Sequence, residues 1–495
     1  MIDGGDNTDT IDFSNNSNGI SITLNNSANG SLGNIGSSSS TTIVKNVENV
    51  AGTQYKDIIN GDASDNLLIG GYNHSATSTT PNDDTITGGA GADTIVGDMM
   101  IDSSTPSALY GGDDILSGGS ENDKIYGDAA PIKSTSTLVV ASDQSVEYIV
   151  DNGVTLATIY GGNDILQGGA GDDYINGGSG FDTIDFSSSN AKVYVNLNLN
   201  TASGEGNDQL YNIENIIGSS STLGDTLIGN ALVNTITGSL GNDTLSGLGG
   251  NDTLDGRSGS DWVDYSYASS VSVNLATGDG VVSGSDTDKL ISIENVIGSN
   301  GADTLTGVQG SVNTLLGKDG NDIFYGYLDG DTLDGGSGVD SVDYGNISAS
   351  VNITLGGSNA DRLIEIENVY GSTNKDTIVG SNDVNILDGR GDNDILNGMG
   401  GDDTLYGGAG NDTLIGGIGA DLLDGGSGQD TADYSASNAI IANLTTNTVM
   451  DGLGGTDTLT SIEIVKGSLY NDTMTGSSNS DTFIGIDRKS TRLNS

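Results

Sequence analysis

Between Gly371 and Ser435 the chain, broken every nine residues, reads GSTNKDTIV, GSNDVNILD, GRGDNDILN, GMGGDDTLY, GGAGNDTLI, GGIGADLLD and GGSGQDTAD, followed by YS. The underlying template is G-G-x-G-x-D-x-U-x, with U a large apolar residue. Asp376, Asp394, Asp403, Asp412, Asp421 and Asp430 hold the sixth position, and Asn385 fills the one gap. The eighth position runs Ile378, Leu387, Leu396, Leu405, Leu414, Leu423 and then a weak Ala432. Self-similarity at a short fixed period is the mark of a solenoid.

Each residue type has a physical reason to stand where it does. The glycines admit the positive φ of a tight loop and let main-chain carbonyls approach a ligand. The three residues x-U-x form a short strand whose apolar side chain points inward. Two nonapeptides make one coil, so every second repeat returns above itself at the ~4.8 Å strand spacing. Leu387, Leu396, Leu405 and Leu414 then alternate between two facing sheets. Asp376, Asp394, Asp412 and Asp430 stack on one edge, and Asn385, Asp403 and Asp421 on the other.

Bare carboxylates stacked in this way repel. At ~5 Å and an effective dielectric of 20, each adjacent pair costs about 3 kcal/mol. A divalent cation between successive loops reverses the sign. The loops offer oxygen almost alone, which suits Ca²⁺ with its six to eight oxygen ligands and flexible geometry. Mg²⁺ demands a tighter octahedron, and Zn²⁺ prefers nitrogen or sulfur. Calcium is the expected cofactor, in multiple copies, with folding coupled to its binding.

Composition agrees. Lys plus Arg number 15 against 68 Asp plus Glu, a formal charge of −53. So acidic a chain disfavours nucleic acid and anionic membranes as partners. Its 79 glycines and 3 prolines are unlike an ordinary globular domain. There is no Cys and a single His, His74, which excludes disulfides, thiolate metal sites and the H-E-x-x-H motif. No apolar run is long enough to span a bilayer, and the N-terminus lacks the basic and apolar regions of a signal peptide.

The same register recurs along the chain. A truncated repeat end and spacer occupy residues 1–51, and a repeat block covers 52–185 with polar insertions at 72–81, 98–109 and 128–158. In the last insertion Asn152-Gly153, between two β-rich runs, predicts a hairpin. This block carries Asp84, Asp93, Asp114, Asp123, Asp164, Asp173 and Asp182. Blocks at 220–266 (Asp225, Asp243, Asp252, Asp261), 298–345 (Asp303, Asp322, Asp331, Asp340) and 371–435 follow. A partial block at 467–486 carries Asp472 and Asp481. These aspartates are the candidate metal ligands, together with the loop glycines Gly89, Gly91, Gly169, Gly171, Gly408, Gly410, Gly417 and Gly419. Asn66, Asn234, Asn313 and Asn385 at the sixth position, and Glu121 in place of a loop glycine, mark degenerate loops.

Spacers at 186–219, 267–297, 346–370 and 436–466 open on D-[FY]-S or similar. They pass through a half-buried strand such as Val271-Ser272-Val273-Asn274-Leu275 and close on I-E-N-V, with Glu214, Glu294 and Glu367 in capping or paired roles. They read as broader coils of the same stack. The tail 487–495 (DRKSTRLNS) breaks the pattern and reads as translated adapter sequence, and the chain is expected to be a fragment at both ends.

These repeats resemble the repeats-in-toxin (RTX, haemolysin-type) calcium-binding family, with GGAGADTIV and GGAGNDTLI near full consensus. The resemblance implies an all-β, right-handed parallel β-roll or β-helix solenoid, with calcium held between adjacent loops by the sixth-position Asp and loop carbonyls, and the fragment is expected to be elongated and monomeric. The resemblance further implies a bacterial protein, secreted by the type I route or held at the cell surface. No catalytic residue is assigned. Two other roles fit the same sequence: an adhesin-like module that uses its inserted loops on a glycan or cell surface, and a non-catalytic part of a polysaccharide-modifying enzyme.

Overall fold

In the computed structural model, the described residues are 2–24, 31–34, 41–71, 82–101, 108–131, 136–140, 144, 146–151, 154–282, 286–477, 481–485 and 491–493. Among them there is no helix, and therefore none long and apolar enough to cross a membrane. The chain forms two compact units, one of Met1–Trp262 with Asp288–Ile293, the other of Val263–Thr287 with Glu294–Ser495. Each is built of short parallel strands in two facing sheets, an all-β parallel β-roll.

The nine-residue period sets the pairing. In the second unit Ile386–Asp388, Thr404–Gly410 and Leu422–Gly428 stack in one sheet, while Thr377–Val379, Ile395–Gly400, Thr413–Ile418 and Thr431–Asp433 stack in the other. The register matches Leu387 to Leu405 to Leu423, and Ile378 to Leu396 to Leu414. All six are fully buried, as are Leu68, Ile86, Ile95, Leu116 and Ile125 in the first unit. The alternation expected from the sequence is present. The strands of the best repeats outrun x-U-x, because the glycines that follow pair too, Gly408 with Gly426 and Gly89 with Gly119.

The spacers differ from simple broader coils. Four of them fold an antiparallel meander into the parallel stack, the first through Ser21–Thr23, Ser31–Asn34 and Thr41–Lys45. Tyr194–Asn196, Thr201–Ser203 and Asn207–Tyr211 pair antiparallel in sequence, and the outer two rejoin the parallel register. Val271–Asn274 with Asp279–Val282, and Ile441–Asn443 with Thr448–Met450 and Thr456–Thr460, repeat the device. The apolar alternation of V-x-V-N-L marks the first strand but not the direction of its neighbour. The D-[FY]-S opening has a double role. Asp185, Asp264 and Asp433 accept the amide of the serine two residues on, and Phe186, Tyr265, Tyr344 and Tyr434 are buried as plugs.

The inserted segments pair with one another at the side of the first unit. Met99–Ile101 lies parallel to Ala129–Pro131, and Ala108–Tyr110 to Thr158–Tyr160. Glu147–Asp151 and Val154–Tyr160 are antiparallel, with Asp151 opposite Val154, as a hairpin requires. The turn itself, Asn152-Gly153, lies outside the described residues, as do residues 72–81 with His74. In the tail, Thr491–Leu493 pairs with Thr473–Thr475, one more strand where the sequence offers no repeat.

With a core one large side chain wide in each strand, truncation should be costly. Leu405→Ala is expected to remove about 2–5 kcal/mol and to lower the melting temperature in saturating calcium by several degrees. An unchanged melting temperature would show that the inward column is not a packed core.

Candidate metal centre

The loops at the coil edges place each sixth-position aspartate in the same way. Its carboxylate turns inward across the first-position glycine, and one oxygen is fixed by the chain beneath. Asp394 Oδ1 accepts the amide of Asp376 at 2.7 Å, Asp412 Oδ1 that of Asp394 at 2.7 Å, and Asp430 Oδ1 that of Asp412 at 2.8 Å. On the other edge Asp403 takes the amide of Asn385, and Asp421 that of Asp403. In the first unit, the series Asp57, Asp84, Asp114, Asp164, Asp182 and the series Asn66, Asp93, Asp123, Asp173 are built alike. So are Asp225, Asp243 and Asp261, Asn234 with Asp252, the series Asp303, Asp322, Asp340, and Asn313 with Asp331. Every aspartate assigned from the sequence is buried except Asp481, which is half-buried.

The second oxygen is where the chemistry lies. Oδ2 of Asp93, Asp123, Asp173, Asp322, Asp340, Asp394, Asp403, Asp412, Asp421 and Asp430 is buried without a hydrogen-bond partner among the described residues. An ionised carboxylate so placed is costly unless a proton or a cation meets it. Burial, reinforced by the carboxylates of Asp376 and Asp412, pushes Asp394 up to about 8. Burial likewise pushes Asp403, Asp322 and Asp123 up to about 7, with neighbouring aspartates adding to each. Asp114 and Asp164 are driven well above the carboxylate range, again by burial first and neighbouring carboxylates second.

These oxygens fit a hard divalent cation. A Cβ built on Gly407 would stand 2.5 Å from Asp412 Oδ2 and 2.6 Å from the carbonyl oxygen of Gly425 in the next coil. One on Gly88 would meet Asp93 Oδ2 at 2.2 Å and the Gly118 carbonyl at 2.6 Å. Only glycine lets both oxygens approach the same point. Among the described residues no three acidic side chains converge on one spot. A cation held here therefore draws on main-chain carbonyls as well as carboxylates, as the Ca²⁺ coordination habit allows. The loop glycines singled out in the sequence all take positive φ, from 96° at Gly169 to 150° at Gly410 and Gly419.

Residues beyond the nonapeptides complete the ladders. Glu48, Glu214, Glu367 and Glu463 each accept, through Oε2, the amide of the last aspartate on one edge: Asp9, Asp182, Asp340 and Asp430. The I-E-N-V glutamate is thus a capping residue. On the other edge the amides of Asp173, Asp252, Asp331 and Asp421 go to Asp208, Asp288, Asp361 and Asp457. The sequence reading passed over these four, although each stands in a D-x-L that reproduces D-x-U of the repeat: Asp208 before Leu210, Asp288 before Leu290, Asp361 before Leu363 and Asp457 before Leu459. Asp98 and Asp128, buried beside the insertions where a repeat has its second glycine, were also missed.

Comparison with known families gives one match, described as RTX calcium-binding nonapeptide repeat (4 copies), over residues 47–72, 78–99, 110–130, 160–185, 228–263, 309–342, 370–405 and 397–432. No curated protein matches the chain. The matched segments contain most of the loops whose aspartates build the ladders, in both units, with Asp225, Asp303, Asp472 and Asp481 outside them. The chain thus carries RTX calcium-binding nonapeptide repeats in several copies, in block after block, and that repeat is a structural unit and not a catalytic one.

Proposed function

We propose that the chain is a calcium-folded β-roll region of a larger secreted or surface protein, with the sixth-position aspartates whose Oδ2 is left unbonded, and adjacent loop carbonyls, as the ligands. The observation that carries this reading is the column of buried, unbonded Oδ2 atoms along each edge. A formal charge of −53 works against any compact state, and the 15 basic residues cannot offset it. Divalent cations at the ladders would supply the missing charge where it is most needed. Because a preformed site does not exist in the unfolded chain, the free energy of binding becomes free energy of folding. Extracellular calcium modules bind at ~10⁻⁴–10⁻³ M, so such a chain would stay loose at cytosolic calcium and fold after export. RTX repeats are typical of secreted bacterial proteins, which agrees with this sequence of events.

In excess chelator the far-ultraviolet circular dichroism of the chain is expected to be that of a disordered polypeptide, turning to a β spectrum as millimolar calcium is added. A full β spectrum in chelator would sink the proposal. Magnesium at the same concentration is expected to leave the chelated spectrum in place, since it demands near-octahedral geometry and sheds water reluctantly. Equal recovery with magnesium would show that charge neutralisation alone suffices.

A further inference from the structure

Most loops are of two kinds, distinguished by the residue four before the ladder aspartate; Asp114, Asp164 and Asp331 belong to neither, with unbonded Oδ2 atoms but no positive φ at Tyr110, Tyr160 or Tyr327. In one kind that residue is left-handed. Gly408, Gly417 and Gly426 have φ of 101°, 112° and 87°, and the aspartates they precede, Asp412, Asp421 and Asp430, have unbonded Oδ2 atoms. The same holds where the residue is not glycine: Lys318 (φ 86°), Arg390 (68°) and Met399 (74°) precede Asp322, Asp394 and Asp403. A side chain in that region costs roughly 1–3 kcal/mol, so the loop must be held there by something else.

In the other kind the residue has ordinary φ and its amide points at the carboxylate. Thr53, Ser299 and Ser372 donate their amides to Oδ2 of Asp57, Asp303 and Asp376, each at 2.6 Å. Their hydroxyls donate to Oδ1 at 3.1, 2.7 and 2.9 Å. Both oxygens are then satisfied by the chain itself. The asparagine loops close in a related way. Nδ2 of Asn66, Asn234, Asn313 and Asn385 donates at 2.8 Å to the carbonyl of Glu48, Glu214, Glu294 and Glu367 respectively. Asn385 Oδ1 meanwhile accepts the amide of Ser381.

The closed loops cluster at block openings, apart from that of Asp243, whose Oδ2 accepts the amide of Ser239 at 2.7 Å one coil further on. Asp57 with Asn66, Asp225 with Asn234, Asp303 with Asn313, and Asp376 with Asn385 each form the pair that opens a block. Ser219 closes Asp225 as the other serines do. The strained residues stand at the switch: Arg390 and Met399 lie in the coil stacked on the Asp376–Asn385 pair, and Lys318 in the coil stacked on that of Asp303.

We propose that calcium binding is confined to coils whose loop is left-handed four residues before the aspartate, and that each block opens on a metal-free coil closed by its own hydroxyl, amide and carboxamide donors. The proposal rests on the calcium reading above. An N–H or O–H aimed at each carboxylate oxygen takes the lone pairs a cation would use, and the asparagine amide brings a donor to a carbonyl that would otherwise be a ligand. The rule is legible in sequence: G-[ST] before the aspartate, or Asn in its place, marks a closed loop.

The test counts calcium per full-length chain after gel filtration in saturating calcium, by elemental analysis, with circular dichroism as the folding control. Two triple variants are compared with wild type: Asp57→Asn, Asp303→Asn, Asp376→Asn at closed loops, and Asp394→Asn, Asp403→Asn, Asp412→Asn at open ones. The closed-loop variant is expected to keep the wild-type calcium content and the open-loop variant to lose calcium. Equal losses, or a loss confined to the closed-loop variant, would overturn the proposal while leaving calcium binding intact. Full calcium retention by the open-loop variant would overturn it as well. Should the open-loop variant not fold, the closed-loop variant decides alone: retention supports the proposal and loss overturns it. A wild-type chain that binds no calcium would defeat the underlying reading instead.

Discussion

The hydrogen bond from each ladder residue's amide to the carboxylate of the next coil is the contact on which the rest of the structure depends. It fixes the side chain to the edge of the roll, sets one coil above the other, and commits only one of two carboxylate oxygens. In the open loops the second oxygen is drawn into the interior beside a glycine with no donor of the chain upon it, where only a proton or a cation can meet it at reasonable cost. A single geometric choice therefore creates the stacking and the demand for calcium together. The same hydrogen bond explains why Glu214 and Asp208 occupy the spacer: wherever the nonapeptides stop, some carboxylate must still receive the last buried amides of the ladder.

Much of this could be read in the sequence, because the nine-residue period reports which side chains share a column. The inward leucines, the alternation of edges and the burial of the aspartates all follow from position in the period. The glutamate of I-E-N-V was recognisable as a cap because it recurs in one context. What the period does not report is backbone direction and sign of φ. The antiparallel meander at Tyr194–Tyr211 uses the same apolar alternation as a parallel strand, so the pattern is silent on it. Asp208, Asp288, Asp361 and Asp457 escaped notice because their D-x-L lies outside the nonapeptide register, although the dipeptide spacing is the one that matters structurally.

The asparagines show how a departure from a template can be misread. Asn66, Asn234, Asn313 and Asn385 look like decayed copies when each is compared with the consensus alone. In the structure they share one partner, the carbonyl of the glutamate that ends the preceding spacer. A carboxylate in their place would set two oxygens against each other; the carboxamide brings a donor instead. Recurrence of the exception at the same structural step is what separates a device from drift.

Finite columns follow from these terminal residues. An unbroken stack of carboxylates would accumulate repulsion with every added coil until its cations were in place, and would favour no particular starting point. Asparagine or hydroxyl-closed loops at one end, and the spacer carboxylates at the other, cut the charge into short runs flanked by coils that satisfy their own donors and acceptors. The apolar interior cannot supply that definition, since each repeat orders nine residues around a single large buried side chain and chain entropy opposes all nine. The edges, not the core, must then decide where the roll is stable. That places the information for folding in the loop residues, which is where this sequence is most exacting.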